Sequence, residues 1–523
     1  MKKIVIVNSV GEDAQSKDTL GENVPGKNTL GENASGENAS GENAPGKNAP
    51  GKNAPDEHAQ SSDLGHRKQL QKPKGQKLFR RLEWVLNPVT YLERTKAHSP
   101  NFFEEDSLGF GDGPTVIVSH PEGMQFILSR DRKTFSAPGE FNRLLSPLIG
   151  DTSAIMLSGD RHKERRQLMT PAFHGERLGV YGQLICDLTH QRIQTLQAGT
   201  SFRARDLTQQ ISLQTIAKVV LGFGEDSDDG SREGSGTAQI LKVLTETIDN
   251  FGSPTSAMLL FFDALQKDLG AWSPWGRFLK HQRQLDALLY AEIDRRLADP
   301  DAGRTDILSM LMAARTESGE ALTKEELRDE LMALLLAGHE TTATAIAWAL
   351  YWIHRVPQVK KTLLAELDRL DENTSPTEIA QLPYLTAVCS ETLRRSPVAM
   401  FTFPRVAQEP VDLMGYHFKT GTTFLGCIFL AHQREDVYAD PKAFKPERFL
   451  DQKFSPYEFI PFGNGARRCV GSALAQYELK LAVATLLRHY RFQLATQKPE
   501  RAARRGVTLA PADGVQMVFE GHR

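Results

Sequence analysis

One stretch of this chain limits its fold more than any other. Residues 324–354 read as a single helix, and its middle, LMALLLAGHETTATAIAWAL, is apolar on nearly every side. At 1.5 Å rise per residue such a helix runs about 45 Å, and a helix that is apolar all round has to be buried. The rest of the chain must therefore supply enough elements to surround it, which points to one large, mostly helical domain. Gly338, Glu340, Thr341 and Thr342 interrupt the apolar run at mid-length. Polar residues buried at such a point need partners or a purpose.

Apolar residues recur at three- and four-residue steps in 209–220, 239–249, 279–297, 358–370 and 474–487, which predicts further helices. Strand-like pieces are fewer and shorter: 116–119, 411–413 and 422–425, each edged by turn residues. The expected fold class is mainly α with a small antiparallel β component. The acidic, glycine-rich run GEDSDDGSREGSG at 224–236 reads as a solvated connection. Residues 20–55 repeat a G-(E/K)-N-x-x unit and carry almost nothing that can be buried, so burial cannot offset the entropy of ordering them. The expected organisation is a disordered low-complexity tail over 1–76 and a folded domain over 77–523.

Bulk composition excludes several classes. A formal net charge of -2, with 40% hydrophobic and 24% charged residues, gives no field that would gather nucleic acid. Cys186, Cys389, Cys427 and Cys469 are scattered without CxxC spacing, matching neither a disulfide framework nor a zinc site and suiting a reducing compartment. The opening MKKIVIVNSV has too short an apolar run for a signal-peptide core, and no segment offers about 18 uninterrupted apolar residues. The expectation is a cytoplasmic protein without a membrane span, with peripheral membrane contact left open.

The strongest chemical signal is Pro461-Phe462-Gly463-Asn464-Gly465-Ala466-Arg467-Arg468-Cys469-Val470-Gly471. Glycines allow a turn tight enough for amide N–H groups to face a sulfur, and the helix opening after Gly471 brings a positive dipole end close to it. The run satisfies F-x-x-G-x-R-x-C-x-G and closely resembles the haem-binding loop of the cytochrome P450 family, in particular its bacterial, soluble haem-thiolate monooxygenases of the cyanobacterial fatty acid and terpene hydroxylase type. The resemblance covers residues 77–523 and implies a long central helix over haem b, with the Cys469 thiolate as the iron's axial ligand. It further implies that Arg467 pairs with a haem propionate, that Phe462 packs beside the porphyrin and that Gly465 shapes the turn. The other three cysteines lack a motif and read as small buried hydrophobes.

Further motifs follow the same family order. Glu391-Thr392-Leu393-Arg394 is E-x-x-R on a helix, and Pro446-Glu447-Arg448-Phe449 is P-x-R-F; the resemblance makes Glu391, Arg394 and Arg448 a buried ionic triad. His162 and Arg166, and separately Arg405, resemble propionate ligands, although His162 and Arg166 would equally suit a solvated basic helix face. Ala337-Gly338-His339-Glu340-Thr341-Thr342 matches (A/G)-G-x-(D/E)-T-(T/S). There the resemblance implies Thr341 as the hydroxyl that bonds the oxygen being activated, Glu340 as the proton relay, and Gly338 as the place where ligand and helix approach. Taken alone, a Thr-Thr pair bonds back to carbonyls four residues earlier and Glu340 faces solvent.

The segments expected around the pocket are mainly apolar, Met156, Leu336, Met400, Phe401 and Leu509 among them, which suits a lipophilic substrate such as a fatty acid, alkane or terpene. Residues 257–262 and 272–275 would form a lid. With no flavin or iron–sulfur motif in the chain, electrons for O2 activation would come from a separate carrier, a ferredoxin with its reductase, received near Lys163 and Arg468; the enzyme would act as a monomer. The competing readings are a peroxide-using or hydroperoxide-rearranging haem-thiolate enzyme and a non-catalytic haem sensor or lipid carrier.

Overall fold

The computed structural model describes residues 70, 72–106, 115–222, 236–249, 254–299 and 304–523. They fall within one compact unit, Arg67–Arg523. The repeat-bearing tail before residue 70 and most of the 224–236 loop lie outside the described residues.

The central helix runs Lys324–Arg355. It starts where it does because Thr323 and Glu326 form a reciprocal capping box: the Glu326 N–H donates to the Thr323 hydroxyl at 3.1 Å and the Thr323 N–H to the Glu326 carboxylate at 3.0 Å. It stops one residue short of Val356-Pro357, since proline disfavours helical conformation in the residue before it. The helix Ala204–Leu221 packs along it and is itself buried on most sides. Gly338 permits this approach. A Cβ there would lie 2.6 Å from the Ile216 side chain, so the glycine makes room for a neighbouring helix.

The helices Gly236–Asp249, Pro274–Ala298, Pro357–Leu367 and Ser472–His489 answer the periodic segments. Pro383–Arg395 carries the E-x-x-R residues. A five-stranded sheet runs, in spatial order, Phe102–Glu105, Thr115–Val118, Thr423–Gly426, Arg405–Ala407 and Phe135–Ser136. Among the described residues every strand pairing is antiparallel except that of Thr115–Val118 with Thr423–Gly426. Near the C-terminus, Tyr490–Leu494 and Ser201–Arg203 flank Gln516–His522, and Ala502–Arg505 pairs with Thr508–Pro511 in a hairpin. No helix of the described residues is long and apolar enough to cross a membrane.

Candidate active site

The cysteine loop gets its shape from two glycines in the left-handed region, Gly463 (φ 65°) and Gly465 (φ 71°). The Cys469 N–H closes the loop on the Phe462 carbonyl at 3.0 Å. Gly465 has a second constraint: a Cβ there would lie 2.3 Å from Asp131 Oδ2. That same oxygen accepts from the Ala466 N–H at 2.5 Å. Asp131 also holds Arg405, whose Nη2 lies 3.1 Å from Oδ2 and donates to the Asn464 carbonyl at 3.0 Å. The fully buried Arg405 thus braces the loop from behind and is not part of the cavity wall.

A cavity of about 320 Å³ separates the loop from the central helix, with Cys469, Phe462, Arg467, His162 and Arg166 on its walls and Thr341 across from them. Cys469 is the one exposed cysteine of the four, and the surface it exposes is cavity wall. Protein on every other side still raises its thiol pKa by burial, against the Gly471 N–H and the cations Arg166 and Arg468, which pull it down. By contrast, burial pushes the thiols of Cys389 and Cys427 up to about 12. His162 is buried; desolvation, then Arg467 and Arg166, push it down to about 3, so its imidazole is neutral at pH 7. Arg467, lowered to about 10 by burial, donates to the carbonyls of Ala137, Ala154 and Leu157 at 2.7, 3.0 and 2.5 Å.

On the central helix, the Thr341 hydroxyl donates to the Ala337 carbonyl at 2.6 Å, the back-bond that a lone Thr-Thr pair would make. Its oxygen meets the cavity as an acceptor. Glu340 does not face solvent: it is buried, with Arg205 Nη2 at 2.7 and 2.6 Å from its two oxygens and Arg505 Nε at 3.1 Å from Oε1. Ser212 donates to the Gly338 carbonyl at 3.2 Å and Thr208 to the Ala343 carbonyl at 2.8 Å, so hydroxyls of the neighbouring helix bond the central helix on either side of Thr341.

A second cavity of about 360 Å³ shares Ala333, Ala337, Thr341, Phe401 and Thr402 with the first. Trp84, Leu148, Leu336 and Met400 are among its apolar walls, and Glu340, Arg504 and Arg505 are its charged ones. Met156 and Leu509 pack beside it in the same apolar cluster. Below the cysteine loop, Glu391 accepts from Arg394 Nε and Nη2 at 2.7 and 2.8 Å and from Arg448 Nε at 3.2 Å, and all three residues are buried.

Asp131, Arg205 and Arg505 escaped the sequence reading. Asp131 belongs to no motif. Arg205 had only a weak signal, a cation in the first turn of a helix where the macrodipole favours acids.

Residues 102–518 match the Cytochrome P450 family. Cytochrome P450 135B1 of Mycobacterium tuberculosis is 33% identical over 408 residues, covering 78% of this chain and 82% of that protein. Cytochrome P450 138 of the same organism is 31% identical over 450 residues, covering 85% and 95%. The solved structure of cyanobacterial CYP120A1 with retinoic acid bound is similar in fold, with a TM-score of 0.72 at 22% identity over 84% of this chain and 96% of that one. The chain belongs to the cytochrome P450 family of haem-thiolate monooxygenases. Members of this family use O2 and electrons from a redox partner. The residues present fit the cofactor: an enclosed cavity, a thiol on its wall bonded by an amide N–H and faced by two arginines, and a neutral imidazole with two guanidinium groups nearby.

Proposed function

We propose that this protein inserts one atom of O2 into a lipophilic substrate, with a fatty acid, alkane or terpene as the substrate class and a ferredoxin with its reductase as the electron source. Cys469 would hold the haem iron, Phe462 would pack beside the ring, and Gly465 would keep the turn. Arg166, His162 and Arg467, which line the Cys469 cavity, would meet the propionates together with Arg405, whose bonds to Asp131 and the Asn464 carbonyl also tie it to the loop. Bound haem supplies the activation of O2. The chain's own contribution would be Thr341 Oγ1 as an acceptor in the wall the two cavities share, a carboxylate, Glu340, one residue away for moving protons, and apolar walls that exclude water.

The observation that carries this reading is that the Cys469 cavity and an apolar chamber adjoin, sharing a wall that includes Thr341. A peroxide-driven reaction is the second reading, favoured by one fact: Glu340 is held by two arginines and would have to leave them to carry a proton inward. Supplying a lipid substrate with either the carrier chain or hydrogen peroxide separates the two. The proposal expects oxidised product with the carrier chain and little with peroxide; the reverse result supports the second reading.

A further inference from the structure

Among the described residues Arg504 is a buried cation with no anion beside it. It lies on the hairpin strand Ala502–Arg505 at 2% exposure, and among the described residues no carboxylate pairs with it. Its partners are backbone carbonyls: Nε donates to Val85 at 2.9 Å and Nη2 to Trp84 at 3.0 Å. Those carbonyls belong to the last turn of the helix Lys77–Leu86, whose dipole end offers roughly half a negative charge. The rings of Trp84 and Phe261 add cation–π contacts at 4.4 and 4.8 Å. Burial alone pushes the guanidinium down to about 9, so it remains charged at neutral pH. Nη1 donates to the Gly506 carbonyl at 3.4 Å, so each guanidinium nitrogen has one partner; of the five N–H donors of a guanidinium two remain, and no carboxylate among the described residues offsets the charge.

The surroundings say what would answer it. Arg504 lines the same apolar chamber as Trp84, Leu336 and Thr341. Successive residues on a strand point to opposite faces. Arg505 accordingly reaches Glu340 on the central helix, while Arg504 reaches back to Trp84 and Val85, on the side away from that helix. Among the described residues Arg504 is thus the cation in the chamber wall without a carboxylate partner, and its bonds run to the helix Lys77–Leu86 and not to the central helix that carries Thr341.

Resting on the monooxygenase reading and narrowing it, we propose that the substrate is a long-chain lipophilic monocarboxylate whose carboxylate is received by Arg504, so that oxidation falls in the half of the chain remote from the acid. A lone carboxylate supplies the missing charge and accepts the spare N–H donors, whereas an alcohol or ester supplies no charge. A site built around a buried charged donor discriminates strongly against analogues that cannot pair with it.

The test is a ligand series on the holoenzyme: hexadecanoic acid, hexadecan-1-ol and methyl hexadecanoate, titrated by calorimetry and by the change in haem absorption. The acid is expected to bind at least about tenfold tighter than either neutral analogue. Arg504→Gln should erase the preference while leaving the alcohol's affinity in place, and Arg504→Lys should keep part of it. The wild-type series decides the matter even if the glutamine variant fails to fold. Equal affinities in the wild type, equal weakening of all three ligands by Arg504→Gln, or oxidation beside the carboxylate would overturn the proposal. Oxidation of the alcohol or ester without preference for the acid sinks the carboxylate site and leaves the monooxygenase reading intact. Preferential binding of the acid with no oxidation of any ligand does the opposite.

Discussion

A single nitrogen of Arg205, Nη2, lies within 2.7 Å of both carboxylate oxygens of Glu340, 135 residues further along the chain. Arg505 adds a second cation to Oε1 at 3.1 Å. The acid beside Thr341 is therefore fixed by the helix Ala204–Leu221 on one side and the C-terminal hairpin on the other. Arg205→Leu leaves Glu340 buried with Arg505 alone, and breaking a buried pair from one side costs roughly 3–5 kcal/mol. Arg505 should hold the loss to the lower end. Denaturant unfolding of the holoenzyme measures it, and the double variant Arg205→Leu/Glu340→Gln should lose less than the sum of the two single changes. Additive losses would mean that the contact contributes no coupling.

Thr341→Ala removes an acceptor from the wall shared by the two cavities but little volume. Substrate affinity should hold, while product formed per reducing equivalent falls by about tenfold or more and hydrogen peroxide rises. Thr341→Ser should recover most of the coupling. Unchanged coupling in the alanine variant would remove Thr341 from proton handling.

Glu391 accepts from Arg394, from Arg448 and from the Lys445 N–H at 2.8 Å. Glu391→Ala would leave two buried guanidinium groups without an acid, a loss of about 3–5 kcal/mol. The expected result is a marked fall in Tm and in the yield of haem-loaded protein, measured by thermal unfolding and by the ratio of haem to protein absorbance. Normal yield and Tm would contradict the triad's role in folding.

Glu478, on the helix Ser472–His489, is buried with no partner for Oε1 among the described residues, and burial pushes it up to about 8, opposed by a Ser212 hydrogen bond. A carboxyl raised in the folded state binds more protons there than in the unfolded chain. Its contribution to stability therefore falls as pH rises from the ordinary glutamate range, about 4.3, toward 8, by at most about 1.4 kcal/mol per unit. Glu478→Gln abolishes that loss. The variant should gain Tm relative to wild type when both are moved from pH 5.5 to pH 8, and a constant difference would show that Glu478 does not titrate in this window.

Much of this could be read from local pattern. The ends of the central helix follow from Thr323, Glu326 and Pro357, all within a turn of its boundaries. The cysteine loop was legible because its cysteine, glycines and arginine lie within eleven consecutive residues. What local pattern cannot hold is pairing across the fold. Arg405 resembled a propionate ligand, but its pairing with Asp131, 274 residues earlier, had no local signal. Gly338 sat in a local motif, and the packing of Ile216 from another helix against it could not be read there. The hairpin strand Ala502–Arg505, AARR, carries no alternation of apolar and polar residues; pairing with Thr508–Pro511 makes it a strand.

The account turns on Cys469 as the iron's ligand, and the absorption spectrum of the ferrous carbon monoxide adduct tests it most directly. Wild-type holoenzyme should show the strongly red-shifted Soret band that a thiolate ligand produces, and Cys469→Ser should lose that band while still binding haem. A red-shifted band that persists in Cys469→Ser would contradict the assignment.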